Sequence, residues 1–397
     1  MEKLFLSERV KSLKPSPTLV VTAKAKELKA KGVDVIGFGA GEPDFDTPEF
    51  VKEAAIRALK EGKTKYAPAA GIPELREALS EKFKTFNNID YKPSEIVVST
   101  GAKNILFLLF LMLLNEGDEV LVPAPYWVSY TAQIRLFGGV PVEVPTEEER
   151  GFVLTLEDIK PFVTERTKVL ILNSPNNPTG AVLDERNLRE IAEFCLERNI
   201  LIISDECYEA FTYDGAKHIS TASLGEEIKR ITFTVNAFSK TYSMTGWRVG
   251  YVGCPNGEYA KVLTSLNSQS ISNVTTFAQY GALEALKNPD APKFVEKMRT
   301  TFERRRDLMA GKLMEIPDVK VNIPKGAFYL FPNFRNWVAK FENDIEFTSY
   351  LLEEAKVAVV PGSAFGYEGF ARLSYCNSDD EIIEGMERIK RALEKLS

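Results

Sequence analysis

The stretch AFSKTYSMTGWRVGY, residues 237–251, sets one lysine among small, hydroxylic and aromatic residues and places an arginine eight positions later. A solvated lysine ordinarily sits among charges, whereas Lys240 meets no acidic residue before Glu258. Surroundings of this kind depress an amine's pKa and make Lys240 a candidate nucleophile.

Outward from that stretch, short β-rich runs alternate with helical ones. EIVVST, DEVLVP, VPVEVP, TKVLILN, ILIISDE, RITFTVNAF and WRVGYVGC are separated by stretches such as NILFLLFLMLLNEG, DERNLREIAEFCLERN and TTFAQYGALEALKN, each closed by Gly or Asn. The pattern predicts an α/β domain with a largely parallel sheet over residues 48–285. KFVEKMRTTFERRRDLMAGKLMEI then reads as a long amphipathic helix leading into a second unit. With GAFYLFP, VAVVPG, ARLSY and the helical DDEIIEGMERIKRALEKL, residues 286–397 are expected to form a smaller α+β domain, packed with residues 1–47. The charge run TEEER at 146–150 reads as a solvated loop.

At 397 residues two domains are the natural expectation, and 44% hydrophobic with 27% charged residues is ordinary for a globular chain. A net charge of -6 argues against nucleic acid or anionic membranes as partners and favours a small molecule. The N-terminus carries charges at positions 2, 3, 8 and 9 and no signal-peptide core, so a cytoplasmic location is expected. ILFLLFLMLL, residues 105–114, has about half of the roughly 20 residues a bilayer span needs and reads as a buried helix. Four cysteines without a CxxC pair read as packed, reduced thiols, and no metal site is expected. The single histidine, His218, follows YDGAK in a predicted loop and reads as surface decoration. Three glutamines among many lysines and glutamates point to a thermophile.

In an open α/β sheet ligands gather at the carboxyl ends of the strands. Here those ends carry STGAKN (99–104), NSPNNPTG (173–180), SDECY (204–208) and Ser239-Lys240, with Arg248 in the turn that follows. The small residues of STGAKN would let the backbone N–H groups of Ala102 and Lys103 approach a phosphate at a helix N-terminus. An imine between a lysine and an aromatic aldehyde cofactor requires this assortment: an amine, a carboxylate opposite a ring nitrogen, donors for a ring oxygen, and cationic plus backbone groups for a phosphate.

SPNNPTG, SDECY and SKTYSMTGWRVGY, in this order and spacing, resemble the signatures of fold-type I pyridoxal-phosphate class I aminotransferases. AGEPDFDTP, KYAPAAGIPELREA, PAPYWVSY, VVPGSAFG and ARLSY extend the likeness from about residue 10 to the C-terminus, and it is greatest toward the thermophilic bacterial aspartate aminotransferases. The resemblance implies a large domain with a mostly parallel seven-stranded sheet flanked by helices, beside a smaller α+β domain. It implies that Lys240 forms the Schiff base with pyridoxal 5'-phosphate and later shuttles a proton, and that Asp205 keeps the pyridine nitrogen protonated. Tyr208 and Asn177 would bond the ring oxygen, Trp127 would stack on the ring, and Arg248 with the Ala102 and Lys103 amides would hold the phosphate. Tyr66 would reach that phosphate from a neighbouring subunit, which implies a homodimer. Arg372 would grip the substrate α-carboxylate, with the Gly41 backbone nearby. Relatives often carry serine or glycine where this chain has Ala237, so a hydroxyl contact is expected to be missing or moved to Ser239 or Thr241.

The expected reaction moves an α-amino group from a dicarboxylic amino acid, L-aspartate first, to 2-oxoglutarate, with Lys14 the expected partner of the side-chain carboxylate. Transfer from aromatic amino acids or prephenate, and carbon–sulfur β-elimination, are the alternatives the same scaffold allows. A nicotinamide dehydrogenase is rejected, because GFGAG at 37–41 puts Glu42 where GxGxxG needs its last glycine. A ligand-sensing regulator is likewise not expected, since a DNA-binding domain has no room before residue 10 or after 397.

Overall fold

The computed structural model describes residues 5–11, 13 and 17–396. Seven strands form the main sheet: β1 (Ile96–Ser99), β2 (Glu119–Ala124), β3 (Val140–Pro145), β4 (Thr167–Asn173), β5 (Leu201–Asp205), β6 (Thr232–Ala237) and β7 (Gly250–Gly253). Their spatial order is β1-β7-β6-β5-β4-β2-β3. β7 runs antiparallel to both neighbours, and the remaining pairings are parallel. The strands are near-continuous apolar runs because both faces of the sheet are covered. Alternate residues go to opposite sides: Val120, Val169, Ile171, Ile203 and Val235 join one cluster, and Leu121, Leu170, Leu172 and Ile202 the other.

The register brings the strand ends into line. Asn173 pairs with Asp205, Asp205 with Val235, and Ala237 with Gly250. The chemistry-bearing segments after β4, β5 and β6 therefore emerge side by side. The apolar run at 105–114 lies, but for its last residue, in the helix Gly101–Leu113, with Ile105, Leu106, Leu108, Leu109, Phe110 and Leu113 buried beside the sheet. No described helix is long and apolar enough to cross a membrane.

Another apolar cluster joins the C-terminal third to Ile36 and Phe38 and to Tyr208, Phe211 and Tyr213 after β5. On the helix Ala291–Met314, Met298, Phe302, Met309 and Leu313 fall on one face and pack with Phe328, Leu330, Leu373 and Ile389. The VAVVPG segment splits in two. Val357–Ala358 pairs in parallel with Ile36–Gly37, and Val360–Pro361 pairs antiparallel with Ala371–Ser374, which in turn pairs with Tyr329–Leu330. Ile36–Gly37 thus ties the N-terminal segment to the C-terminal strands. Arg305 reaches the same segment, donating to both carboxylate oxygens of Asp44 at 2.8 and 2.9 Å.

Two loop readings need correction. Within TEEER, Glu147, Glu149 and Arg150 are exposed as expected, but Glu148 accepts from Asn333 Nδ2 at 2.8 Å, so this one charge is pinned to the C-terminal segment. His218 is not surface decoration: its side chain is 6% exposed and its Nε2 lies 3.0 Å from a carboxylate oxygen of Glu206.

Candidate active site

At the carboxyl edge of the sheet lies a cavity of about 300 Å³. Lys240, at the end of β6, projects into it, and its Nζ donates to the backbone carbonyl of Gly41. Burial lowers the Lys240 pKa from the ordinary 10.5 to about 8, an effect that the nearby Cys207, Cys376 and Glu42 only partly offset.

Asp205, at the end of β5, is buried against the same cavity. Its Oδ2 accepts from the Tyr130 hydroxyl at 2.6 Å and its Oδ1 from the Cys207 N–H at 3.3 Å. Burial raises its pKa and the two donors pull the other way. Asn173, at the end of β4, donates to the Asp205 carbonyl at 3.0 Å and accepts from the Asn177 N–H at 2.9 Å. Asn177 Nδ2 points at the Tyr208 hydroxyl, 3.4 Å away, which also meets the Tyr329 hydroxyl at 2.9 Å.

Arg372 is 3% exposed, yet among the described residues no carboxylate pairs with it. It donates to Asn177 Oδ1 at 3.0 Å and to the Gly39 carbonyl at 2.7 Å, while its buried Nε has no partner. A buried guanidinium with spare donors is held ready for an anion. Gly41 is required beside it, because a Cβ there would lie 2.4 Å from the Tyr329 hydroxyl oxygen.

The opposite end of the cavity is built for a phosphate. The helix Gly101–Leu113 presents its N-terminus, and a Cβ on Gly250 would lie 2.5 Å from the Ala102 nitrogen, so glycine keeps this approach open. Arg248 donates to the Thr245 carbonyl at 2.8 Å and turns toward the same end. Lys103 extends over the Trp127 ring at 4.8 Å, and burial lowers its pKa, reinforced by the Arg248 charge. Amine, buried carboxylate, ring-oxygen donors, helix N-terminus and arginine are the donor set that a phosphorylated pyridine aldehyde requires, and the unpartnered Arg372 Nε leaves a donor for a second anion.

A family model described as aminotransferase class I and II matches residues 33–389. The chain belongs to this family. The enzyme is a pyridoxal-phosphate-dependent class I aminotransferase of fold type I. It is 67% identical over 391 residues to a probable aspartate/prephenate aminotransferase of Aquifex aeolicus, covering 98% of this chain and 99% of that one. It is 50% identical to an aspartate aminotransferase of Bacillus subtilis, covering 99% and 100% of the two chains. Among solved structures, aspartate aminotransferase from Thermus thermophilus with maleate superposes with a TM-score of 0.94 at 46% identity, over 98% of this chain and 100% of that one. The Aquifex and Thermus relatives accord with the thermophile composition.

Of the residues singled out in the sequence, Lys240, Asp205, Tyr208, Asn177, Trp127, Ala102, Lys103, Arg248, Ser239, Arg372 and Gly41 all line this one cavity. Ala237 lines it too, and Ser239 and Thr245 supply hydroxyls near it, whereas Thr241 faces elsewhere. Tyr66 is not among the lining residues of this single chain and is 90% exposed. Lys14 lies outside the described residues. Sequence reasoning missed Tyr130, Asn173 and Tyr329. Tyr130 had a readable signal, since it follows Trp127 by one helical turn in PYWVSY.

Proposed function

We propose that the enzyme transfers the α-amino group of L-aspartate to 2-oxoglutarate in two half-reactions at this one site. The observation that carries the reading is a charge imbalance. Lys103, Lys240, Arg248 and Arg372 face the cavity with no carboxylate in ion-pair reach among the described residues, against the single carboxylate of Asp205. A phosphate suits Arg248 and the helix N-terminus, and an α-carboxylate suits the fork of Arg372. Lys103 is then left for a second carboxylate, which favours a dicarboxylic amino acid. This assigns to Lys103 the task expected of Lys14.

When bound, pyridoxal phosphate supplies an electron-accepting ring that stabilises negative charge at the substrate Cα. Lys240 anchors it through Nζ and moves the Cα proton, a task served by the lowered pKa. Asp205 holds a proton on the ring nitrogen, and Tyr130 holds Asp205. Tyr208 and Asn177 serve the ring oxygen, Trp127 covers the ring, and Gly41 lies beside the α-carboxylate. The Ala102 and Lys103 backbone N–H groups and Arg248 hold the phosphate, with Ser239 as the hydroxyl that Ala237 does not offer.

Residues 48–285 are proposed as the cofactor-binding domain, and 286–397 with 1–47 as the smaller one. The exposure of Tyr66, with Ile56 at 48% and Leu59 at 44%, supports a homodimer in which Tyr66 enters the partner's site. A cytoplasmic location goes with this reading. Prephenate is a second acceptor to consider, because relatives from Aquifex and Thermus carry it in their names. The test is the half-reaction: L-aspartate alone gives one equivalent of oxaloacetate per site, whereas a β-lyase gives an amino acid's pyruvate and ammonia over many turnovers.

A further inference from the structure

Tyr329 reaches the cavity from the C-terminal segment rather than from the main sheet. Its strand, Tyr329–Leu330, pairs with Ala371–Ser374, which carries Arg372. The side chain is buried, and the centre of its ring lies 4.5 Å from the Arg372 guanidinium. Its hydroxyl meets that of Tyr208 at 2.9 Å and has no other hydrogen-bond partner among the described residues.

The hydrogens around Tyr208 can be counted. Arg372 only donates, so its bond to Asn177 Oδ1 at 3.0 Å turns the amide with Nδ2 toward the Tyr208 oxygen, 3.4 Å away. That oxygen has two lone pairs and one hydrogen. Burial raises the pKa of both phenols, that of Tyr329 to about 12, so each keeps its hydrogen. If Tyr208 donated to Tyr329, it would have no hydrogen left for a ligand, and the Tyr329 hydrogen would have no acceptor among the described residues. With Tyr329 donating, Asn177 and Tyr329 fill both lone pairs of Tyr208, and its one hydrogen is free for an acceptor in the cavity. An anionic ring oxygen there selects the second arrangement, because hydrogen bonds to charged acceptors are the stronger ones.

We propose that Tyr329 is a positioning residue for amino transfer: its hydroxyl donates to Tyr208 and so commits the single Tyr208 hydrogen to the cofactor's ring oxygen. The proposal rests on the reading that Tyr208 serves that oxygen.

Tyr329→Phe keeps the ring beside Arg372 and removes only the hydroxyl. A donor on the ring oxygen favours the deprotonated cofactor, so a weaker donor should move the pH titration of the bound cofactor's absorbance to higher pH. The expected shift is about 0.3 unit, from a roughly 20% strengthening of one charge-assisted bond by its neighbour. Tyr208→Phe alone should move the titration further the same way. Adding Tyr329→Phe to it should move it no more, because the Tyr329 hydroxyl then has nothing to act through. An unmoved titration in Tyr329→Phe, with that of Tyr208→Phe displaced, would overturn the proposal and leave the reading of Tyr208 intact. An unmoved titration in Tyr208→Phe would remove that reading, and the proposal with it. The second readout is the affinity of the cofactor-free protein for pyridoxal phosphate, which should fall about two-fold in Tyr329→Phe. In the Tyr208→Phe background the same substitution should leave that affinity in place. Shifts of equal size in both backgrounds, in either readout, would show Tyr329 acting without Tyr208 and contradict the proposal.

Discussion

The hydroxyl of Tyr130 donates to Asp205 Oδ2 at 2.6 Å inside the sheet's carboxyl edge. This bond opposes burial, which favours the protonated acid. Tyr130→Phe should therefore weaken Asp205 as an anion. A hydrogen bond to a charged group contributes about 1.5–3 kcal/mol, so kcat/KM should fall roughly 10- to 100-fold. Steady-state kinetics check the size, and a circular-dichroism melt close to the parent's shows that the fold is retained.

Lys103 is the cation on which the dicarboxylate reading depends. Lys103→Ala should reduce kcat/KM for aspartate by roughly 10- to 100-fold, the loss expected for one charge-assisted bond. An aromatic amino acid should lose far less, because it offers no second carboxylate. Equal losses on both substrates would move Lys103 to the phosphate alone.

The lowered pKa of Lys240 gives a pH prediction with a definite sign. The neutral amine is the reactive form, so capture of pyridoxal phosphate by the cofactor-free protein should rise with pH through about 8 and level off above it. For stability the folded pKa lies below the unfolded one, so the unfolded chain binds more protons between about 8 and 10.5. Lys240's contribution to stability then increases as pH rises through that window and is unfavourable below it. Denaturant unfolding of the parent and of Lys240→Met across this range measures the difference.

Much of this site was legible because it lies at strand ends, where a near-continuous apolar run stops and polar residues begin. Asp205 and Lys240 were found in that way, whereas Asn177 was picked out of its three-asparagine turn by the family resemblance, and the strand register brings their segments together. What stayed hidden depended on contacts remote in sequence. Tyr329, which reaches Tyr208 across 121 residues, reads locally as one aromatic among several in GAFYLFP. His218 looked exposed because YDGAK is polar, and nothing nearby in sequence shows that the loop folds back onto Glu206. Glu148, the middle glutamate of TEEER, was misread for the same reason, its partner Asn333 lying 185 residues away. Lys103 was singled out for its backbone N–H, whereas its side chain gained a role only once Trp127 was seen beneath it.

The most direct measurement is an absorbance titration of the purified, cofactor-loaded enzyme with L-aspartate in the absence of any keto acid. The band of the lysine-linked cofactor is expected to convert to that of the amine form, with one oxaloacetate released per site. A band that ignores aspartate while an aromatic or sulfur amino acid converts it would contradict the assignment of a dicarboxylic substrate.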